Sequence, residues 1–342
     1  MQNILVTGGA GFIGSAFVRN MVEKYPHYNI IVFDKLTYAG NLDNLLPVVK
    51  SPNYKFERGD IADREIVRHV LEAYQVDTIV NFAAESHVDR SILDPDAFIN
   101  TDVVGAYILL ETARAMGVNR FHHVSTDEVY GSIPVGYFKE GDPLEPNSPY
   151  AASKAGGELM VRAYHVTYGL HTTITRGSNT FGPYHYPEKI APFFITEAID
   201  DRPLPVYGDG MQVRDWLYVD DHASAVDLVL HQGAPGEIYN VGGENERHNI
   251  DLTRLILRLL DKPETLIRYV EDRPGHDRRY ALNCDKIKAL GWQRSGDFEM
   301  LMEKTVRWYQ QNEWWWRKIK TGEYLEFYKR QYGERLANAT GT

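Results

Sequence analysis

The sequence predicts an α/β fold, a doubly wound parallel sheet followed by a smaller C-terminal α/β lobe that holds a substrate. Three observations carry this. Short apolar runs alternate with helical patterns through the first half, a glycine-rich turn follows the first run directly, and the order changes after Arg176, where Gly- and Pro-rich stretches set in. Strands that alternate with helices call for a parallel sheet covered on both faces.

The strands are expected at Asn3–Val6, Ile30–Phe33, Tyr54–Gly59, Thr78–Phe82, Arg120–Ser125 and His171–Arg176, with helices at Gly14–Lys24, Asp63–Tyr74, Val103–Met116 and Ser153–Tyr168. Beyond them the breaks at Phe181–Pro192, Arg202–Gly210 and Asp272–His276 separate helical patterns at about Pro192–Asp200, Val219–His231, Leu252–Leu260 and Phe298–Trp316. Residues 1–180 are therefore read as a cofactor domain, with some later segments crossing back, and 181–342 as mainly the substrate lobe. Trp314-Trp315-Trp316 is expected to pack on the core, and Glu323–Arg335 to form an amphipathic tail helix.

Composition narrows the class. The 342 residues carry 37 Lys+Arg and 47 Asp+Glu, a net charge of −10, which disfavours a nucleic-acid partner. The single Cys284 excludes an internal disulfide and fits a reducing compartment, the cytoplasm. No apolar run approaches the roughly 18–20 residues that cross a bilayer, and the N-terminus lacks a basic segment of the kind that opens a signal peptide, so no membrane partner is expected. None of the 12 histidines has metal-ligand spacing; His122-His123 and His185 read as strand and loop residues, and no metal is expected.

Gly8, Gly11 and Gly14 form a G-x-x-G-x-x-G turn from the first strand into a helix. Missing side chains let a diphosphate reach the backbone, and the helix N-terminus offers N–H groups and a positive dipole end. The plainer alternative is a tight turn without a ligand. Asp34, closing the second strand, favours the ligand: a carboxylate there accepts from a ribose 2′-hydroxyl and repels a 2′-phosphate, which selects NAD over NADP. Lys35 would partly offset that repulsion, and Asp60-Ile61 would sit at the adenine edge or simply begin a helix.

Tyr150 and Lys154 lie four apart, on one face of a helix begun by Asn147-Ser148-Pro149. An ammonium beside a phenol favours the phenolate, a base for an alcohol proton. Thr126-Asp127-Glu128 ends the fifth strand, where open parallel sheets place their ligands. Two adjacent carboxylates need not both ionise, so one serves as acid and the other as base. Elimination of water beside a ketone needs that division.

The glycine turn, Asp34 and Tyr150…Lys154 resemble the extended short-chain dehydrogenase/reductase superfamily, a Rossmann-type fold. The Thr126-Asp127-Glu128 triple resembles its nucleotide-sugar 4,6-dehydratases, most closely the branch that takes dTDP-linked glucose. FDKLTYAGN (33–41), FAAESHVDRSI (82–92), RGSNTFGPYHYPEKIAP (176–192), PLPVYGDGMQVRDWLYVDDH (203–222), NVGGENERHN (240–249) and DRPGHDRRY (272–280) extend the resemblance over roughly residues 1–335.

The resemblance implies a bound NAD and a hydro-lyase reaction. Tyr150, with Lys154, takes the proton of sugar O4 as hydride leaves C4; Thr126 shares the bond to O4; Glu128 is the base at C5 and Asp127 the acid at the C6 hydroxyl; the hydride returns to C6. It places Phe12, Ile13, Thr37, Phe82, Ala83, Ala84, Thr101 and Asn179 beside the cofactor, with Ser86 shared with substrate. It puts Arg214 and Arg273 on the substrate diphosphate, Lys189, Asn249 and His276 as further contacts with Asn179, and Pro205, Val206 and Tyr207 along the nucleobase. It implies a homodimer through the helices at Val103–Met116 and Ser153–Tyr168. The chain departs from the family where Thr180 and Gly177 stand in place of a common asparagine and cysteine. Alternatives are a dehydratase of a UDP-, CDP- or GDP-linked sugar, a 4-epimerase or decarboxylase, which need no acid–base pair at 127–128, and a non-catalytic NAD(H)-sensing protein.

Overall fold

A computed structural model describes residues 1–273 and 275–341. Pro274 of the DRPGHDRRY motif and Thr342 of the substrate lobe lie outside them. The strands in chain order are β1 (Asn3–Thr7), β2 (Asn29–Asp34), β3 (Tyr54–Arg58), β4 (Thr78–Asn81), β5 (Arg120–Thr126), β6 (Thr172–Gly177), β7 (Asn179–Phe181), β8 (Leu204–Tyr207), β9 (Val213–Tyr218), β10 (Ile238–Val241), β11 (Glu246–His248), β12 (Ile267–Val270) and β13 (Thr340–Gly341).

Seven strands form one sheet in the order β10-β6-β5-β4-β1-β2-β3, every pair parallel. The inner strands β1, β2 and β4 are buried almost throughout, which is why they read as short apolar runs, whereas the edge strand β3 is only partly covered. Ile4 and Val6 pack with Phe17 and Val226 on one side. Leu5 and Ile31 pack with Val67, Leu109 and Phe121 on the other. The alternation follows the period of two along a strand.

Two three-stranded sheets, β11-β9-β7 and β13-β12-β8, come from the second half. Their core gathers Phe181, Phe193, Trp216, Met302, Tyr309, Trp315 and Trp316. Chain crossing is real: β10 returns to edge the large sheet beside β6. The helix Val219–Gln232 also returns, and its Asp227 bonds Lys24 at 2.6 Å and Tyr25 at 3.1 Å.

Three helices differ from expectation. The pattern over Phe298–Trp316 divides at Asn312 into Phe298–Gln311 and Glu313–Ile319, which turns Trp315 and Trp316 inward while Trp314 stays half exposed. Trp315 donates to Asn44 across the molecule at 2.9 Å. The helix expected from Val103 begins at Asp96 and carries a π-helical segment, Ile99–Gly105, before continuing as Ala106–Ala115. The helix expected from Ser153 begins at Pro149, because Ser148 accepts from the Ala151 amide and caps it. No helix among the described residues is long and apolar enough to cross a membrane, and no group of three or more metal-ligating side chains occurs among them.

Candidate active site

One deep cleft runs along the C-terminal ends of β1, β2, β4, β5 and β6. Its first wall is the glycine turn. Gly8 has φ +65°, and a Cβ there would lie 2.5 Å from the Ala83 amide nitrogen; one on Gly14 would lie 2.3 Å from the Gly8 carbonyl oxygen. The helix Phe12–Lys24 starts without a side-chain cap. These are features a diphosphate site needs. Asp34 is buried and accepts from the Ala10 amide at 2.9 Å and the Leu36 amide at 2.8 Å; burial pushes its pKa up against those two bonds. Lys35 reaches Asp60 at 2.7 Å, so its charge is matched there rather than on Asp34. Asp60 also accepts from the Ala62 amide, while Asp63 caps the following helix. Two carboxylates and one ammonium leave this end negative, which suits a free ribose 2′-hydroxyl.

The remaining residues expected at the cofactor line the same cleft: Gly11, Phe12, Ile13, Thr37, Ile61, Phe82, Ala83, Ala84, Ser86, Thr101 and Asn179. Phe12 stacks on His185 of the second half, ring centroids 4.0 Å apart. The Asn179 side-chain oxygen is buried without a partner. The shape, the uncapped helix and the orphaned amide fit NAD.

Thr126, Asp127, Glu128, Tyr150 and Lys154 meet at the cleft's centre. Thr126 ends β5 and accepts from the Glu128 amide, starting a tight turn over Asp127–Tyr130. Gly131 closes that turn at φ +81°, where a Cβ would strike the Glu145 carbonyl at 2.4 Å. Asp127 is 2% exposed and Oδ2 has no partner. Burial, then the neighbouring Glu128 and Asp215 charges, push its pKa well up against the pull of Arg214 and the Thr126 hydroxyl. Lys154 donates to the Val124 carbonyl at 2.8 Å, and burial lowers its pKa.

Tyr150 corrects one expectation. Burial comes first, then Glu128 and Asp102, and together they hold the phenol well above its ordinary pKa; only the Thr126 hydroxyl among its side-chain partners pulls it down. Burial, ahead of these acidic neighbours, keeps the phenol raised even with Lys154 one turn along the same helix.

The substrate residues divide. Ser86, Thr126, Asn179 and Lys189 line the cleft, and Lys189 bonds the Ser86 carbonyl. Pro205, Val206, Tyr207, Arg214, Asn249, Arg273 and His276 do not. Pro205 and Val206 are buried, Val206 within the core of the second half. Their strand β8 pairs with β12. Arg273 pairs with Asp89 at 2.9 Å, and Asp89 also accepts from Tyr207 at 3.2 Å and Gln331 at 2.9 Å. His276 bonds Asp272 at 2.6 Å; burial nonetheless lowers its pKa to about 4. Arg214 donates to the Val213 and Asp277 carbonyls and lies 4.3 Å over the Tyr280 ring. The Asn249 side-chain oxygen has no partner. This group is coupled to the cleft through charge: Glu128 acts on Lys189, Arg273 and Tyr280.

Several lining residues lie within the quoted segments but were not singled out for the site: Glu85, Glu188, His185, Trp216 and His222. His222 explains both departures at 177 and 180. A Cβ on Gly177 would lie 2.4 Å from His222 Cε1, and Thr180 Oγ1 bonds His222 Nδ1 at 2.9 Å. Burial lowers the His222 pKa to about 4. The sequence showed the two departures, but only the fold brings His222 against them.

The family described as GDP-mannose 4,6 dehydratase matches residues 5–305. A dTDP-glucose 4,6-dehydratase of Escherichia coli is 49% identical over 98% of this chain and 99% of its own length. Another, from Neisseria meningitidis, is 49% identical over 95% of this chain and 98% of its own. Among solved structures, a dTDP-glucose 4,6-dehydratase of Streptomyces venezuelae with NAD bound superposes with a TM-score of 0.91 at 50% identity, covering 93% of this chain and all of that one. A UDP-glucose 4-epimerase of Thermus thermophilus, in complex with NAD, reaches 0.85 at 30% identity, covering 91% of this chain and all of that one.

Proposed function

Since the chain belongs to the family of dTDP-glucose 4,6-dehydratases, we infer that it removes water from dTDP-glucose to give dTDP-4-keto-6-deoxy-D-glucose, with NAD as resident cofactor. The observation that carries this is Asp127: a buried carboxyl with an orphaned oxygen, its pKa pushed well up by burial and by the Glu128 charge beside it, in one cleft with Tyr150. A 4-epimerase has no step that needs such an acid. NAD supplies a hydride acceptor at C4 that returns the hydride at C6.

The cofactor would be held by Gly8, Gly11, Gly14, Asp34 and the loop Phe82–Ser86. Tyr150 takes the O4 proton, with Thr126 beside it to share the bond and Lys154 behind it to favour the phenolate. The ketone then makes the C5 proton acidic; Glu128 removes it, Asp127 gives its proton to the departing C6 hydroxyl, and a proton goes back to C5 when C6 is reduced. Lys189 and Arg273 offer cations to the diphosphate, and Arg214, Asn249, His276 and Tyr207 would receive the nucleotide beyond Asp89. General acid and base groups of this kind each contribute about 10²–10⁴ in rate.

Residues 1–180 would form the cofactor side and 181–342 mainly the substrate side, with β10 and the helix Val219–Gln232 returning. A homodimer is supported by apolar residues exposed on two adjacent helices: Ile99, Val104, Tyr107, Leu159, Val166 and Tyr168. A cytoplasmic setting is supported by the lone Cys284, buried, its thiol pushed up to about 12 by burial.

The test is incubation of the purified protein with dTDP-glucose and, separately, UDP-glucose without added NAD. Loss of one water from dTDP-glucose alone is expected. Loss from neither, even with NAD supplied, would overturn the reading.

A further inference from the structure

Gly177 and Thr180, where this chain departs from its family, both meet one buried side chain, His222. The imidazole is 2% exposed and lines the cleft. Its ring fills the space that a side chain at 177 would take: a Cβ there would lie 2.4 Å from Cε1 and 2.8 Å from Nε2. A cysteine at 177 would push the ring away, so this placement needs the glycine.

Two contacts decide which ring nitrogen carries the proton. Thr180 Oγ1 lies 3.1 Å from the Ser178 carbonyl oxygen and 2.9 Å from His222 Nδ1. A carbonyl only accepts, so the one hydroxyl hydrogen goes to Ser178. Nδ1 then carries a hydrogen and donates it to Oγ1. Burial lowers the His222 pKa to about 4, so the ring is neutral and Nε2 keeps a bare lone pair. Nε2 is buried and has no hydrogen-bond partner among the described residues. An acceptor left unpaired in the interior is costly, and this one belongs to a wall of the cleft.

The sheet sets the direction of a dinucleotide in that cleft. Asp34, at the ribose end, closes β2, on one side of β1. The glycine turn follows β1 itself, so the second nucleotide runs the other way, over β4, β5 and β6. Gly177 ends β6 and pairs with Thr126 of β5, which puts His222 at that end. The helix Val219–Gln232 that carries His222 packs on the cofactor helix Phe12–Lys24, with Val219, Ala223 and Val226 against Phe17 and Val18. Tyr150 and Lys154 come from the helix on the opposite face of the sheet, where Val161 and Tyr164 pack. A nicotinamide held between them turns its reacting face toward the tyrosine, and the only N–H donors it carries are those of its carboxamide.

We propose that His222 Nε2 accepts a hydrogen bond from the carboxamide N–H of bound NAD and so fixes which face of the nicotinamide meets the sugar, with Gly177 making room for the imidazole and Thr180 holding its tautomer. This rests on the reading of NAD as the resident cofactor. Asn179, beside Thr180, holds a second buried oxygen without a partner. A carboxamide nitrogen brings two hydrogens for two such acceptors, where a sugar hydroxyl brings one.

The test is a competition on the purified holoenzyme. The protein is equilibrated with equal concentrations of NAD and 3-acetylpyridine adenine dinucleotide, in which a methyl ketone replaces the carboxamide and no N–H remains. The bound dinucleotides are released and their ratio is measured by mass. The preference for NAD is expected to fall about tenfold in His222→Phe, which keeps a ring without the acceptor, and to be partly kept in His222→Gln, whose amide oxygen still accepts. Damage to the fold weakens both dinucleotides together, so an unchanged ratio overturns the proposal. An unchanged ratio with a raised KM for dTDP-glucose overturns it as well, and assigns Nε2 to a sugar hydroxyl. If neither variant folds, Thr180→Val frees the tautomer and must lower the ratio by less; an unmoved ratio overturns the proposal equally. If the unaltered protein holds neither dinucleotide, the reading of NAD as cofactor fails first, and this proposal with it.

Discussion

The two walls of the cleft are built by different means. The cofactor wall is backbone: Gly8 folds against Ala83, Gly14 against Gly8, and the Asp34 carboxylate is held by two main-chain amides. The proposed substrate side, which continues beyond the cleft's own lining, is side chains drawn from distant parts of the chain. Asp89 alone collects Tyr207, 118 positions away, Arg273, 184 away, and Gln331, 242 away. A wall of backbone is preorganised, with no charges to redistribute when a ligand arrives. A wall of paired side chains is already satisfied internally, so an anionic ligand competes with Asp89 for Arg273. Rigidity on one side and exchange on the other suit a cofactor that stays and a substrate that leaves.

The comparison can be broken from either side. The largest effect belongs to the first wall. Gly14→Ala forces a methyl onto a carbonyl that cannot move without the turn, costing roughly 3 kcal/mol of stability or more and abolishing NAD retention. Thermal melting and the cofactor content of the purified variant read both. On the second wall, Arg273→Ala removes one charge-assisted contact of about 1.5–3 kcal/mol. KM for dTDP-glucose should rise roughly 10–100-fold with kcat nearly kept, because the contact is equal in ground and transition states. A matching fall in kcat would place Arg273 at the reacting atoms instead. Asp34→Asn is smaller: the preference for NAD over NADP should fall by roughly tenfold, or about 1.4 kcal/mol, measured by competitive binding to cofactor-free protein.

The smallest effect is on stability in acid. Burial holds His122 at about 3, His222 and His276 at about 4. The unfolded chain protonates these near 6.5, so it binds more protons than the folded one between those values and stability falls as pH drops below about 6.5. Asp102, raised to about 6, and Glu85, raised to about 7, work the other way and gain stability as pH falls through those values. The midpoint should decline by roughly 2–4 °C for each kcal/mol lost, with histidines outweighing the carboxyls. A midpoint flat from pH 7 to 4.5 would contradict it.

What was legible in the sequence follows the same division. The strands, the glycine turn, Asp34 and the Tyr150–Lys154 face are set by contacts within a few residues or between neighbouring strands, and periodicity and motif spacing carry them. The resemblance brought Thr126-Asp127-Glu128 and the cofactor loops to one cleft. The pairing of Lys35 with Asp60, the π-helical turn at Asp102 and the fit of His222 against Gly177 depend on approaches that no local pattern records. Val206 shows the same limit: its motif position suggested a base contact, and no local pattern records that its side chain packs in the core of the second half.

The division of labour between Tyr150 and Asp127 is the central claim, and one absorbance measurement addresses it. Holoenzyme of Asp127→Asn and of Tyr150→Phe is mixed with dTDP-glucose, and bound NADH is followed with time. Asp127→Asn should oxidise C4 but eliminate water about 10²-fold or more slowly, so NADH builds up on the protein, while Tyr150→Phe shows none. If the two variants behave alike, or Asp127→Asn dehydrates the sugar at the unaltered rate, Asp127 is not the acid and the assignment of roles in the cleft is wrong.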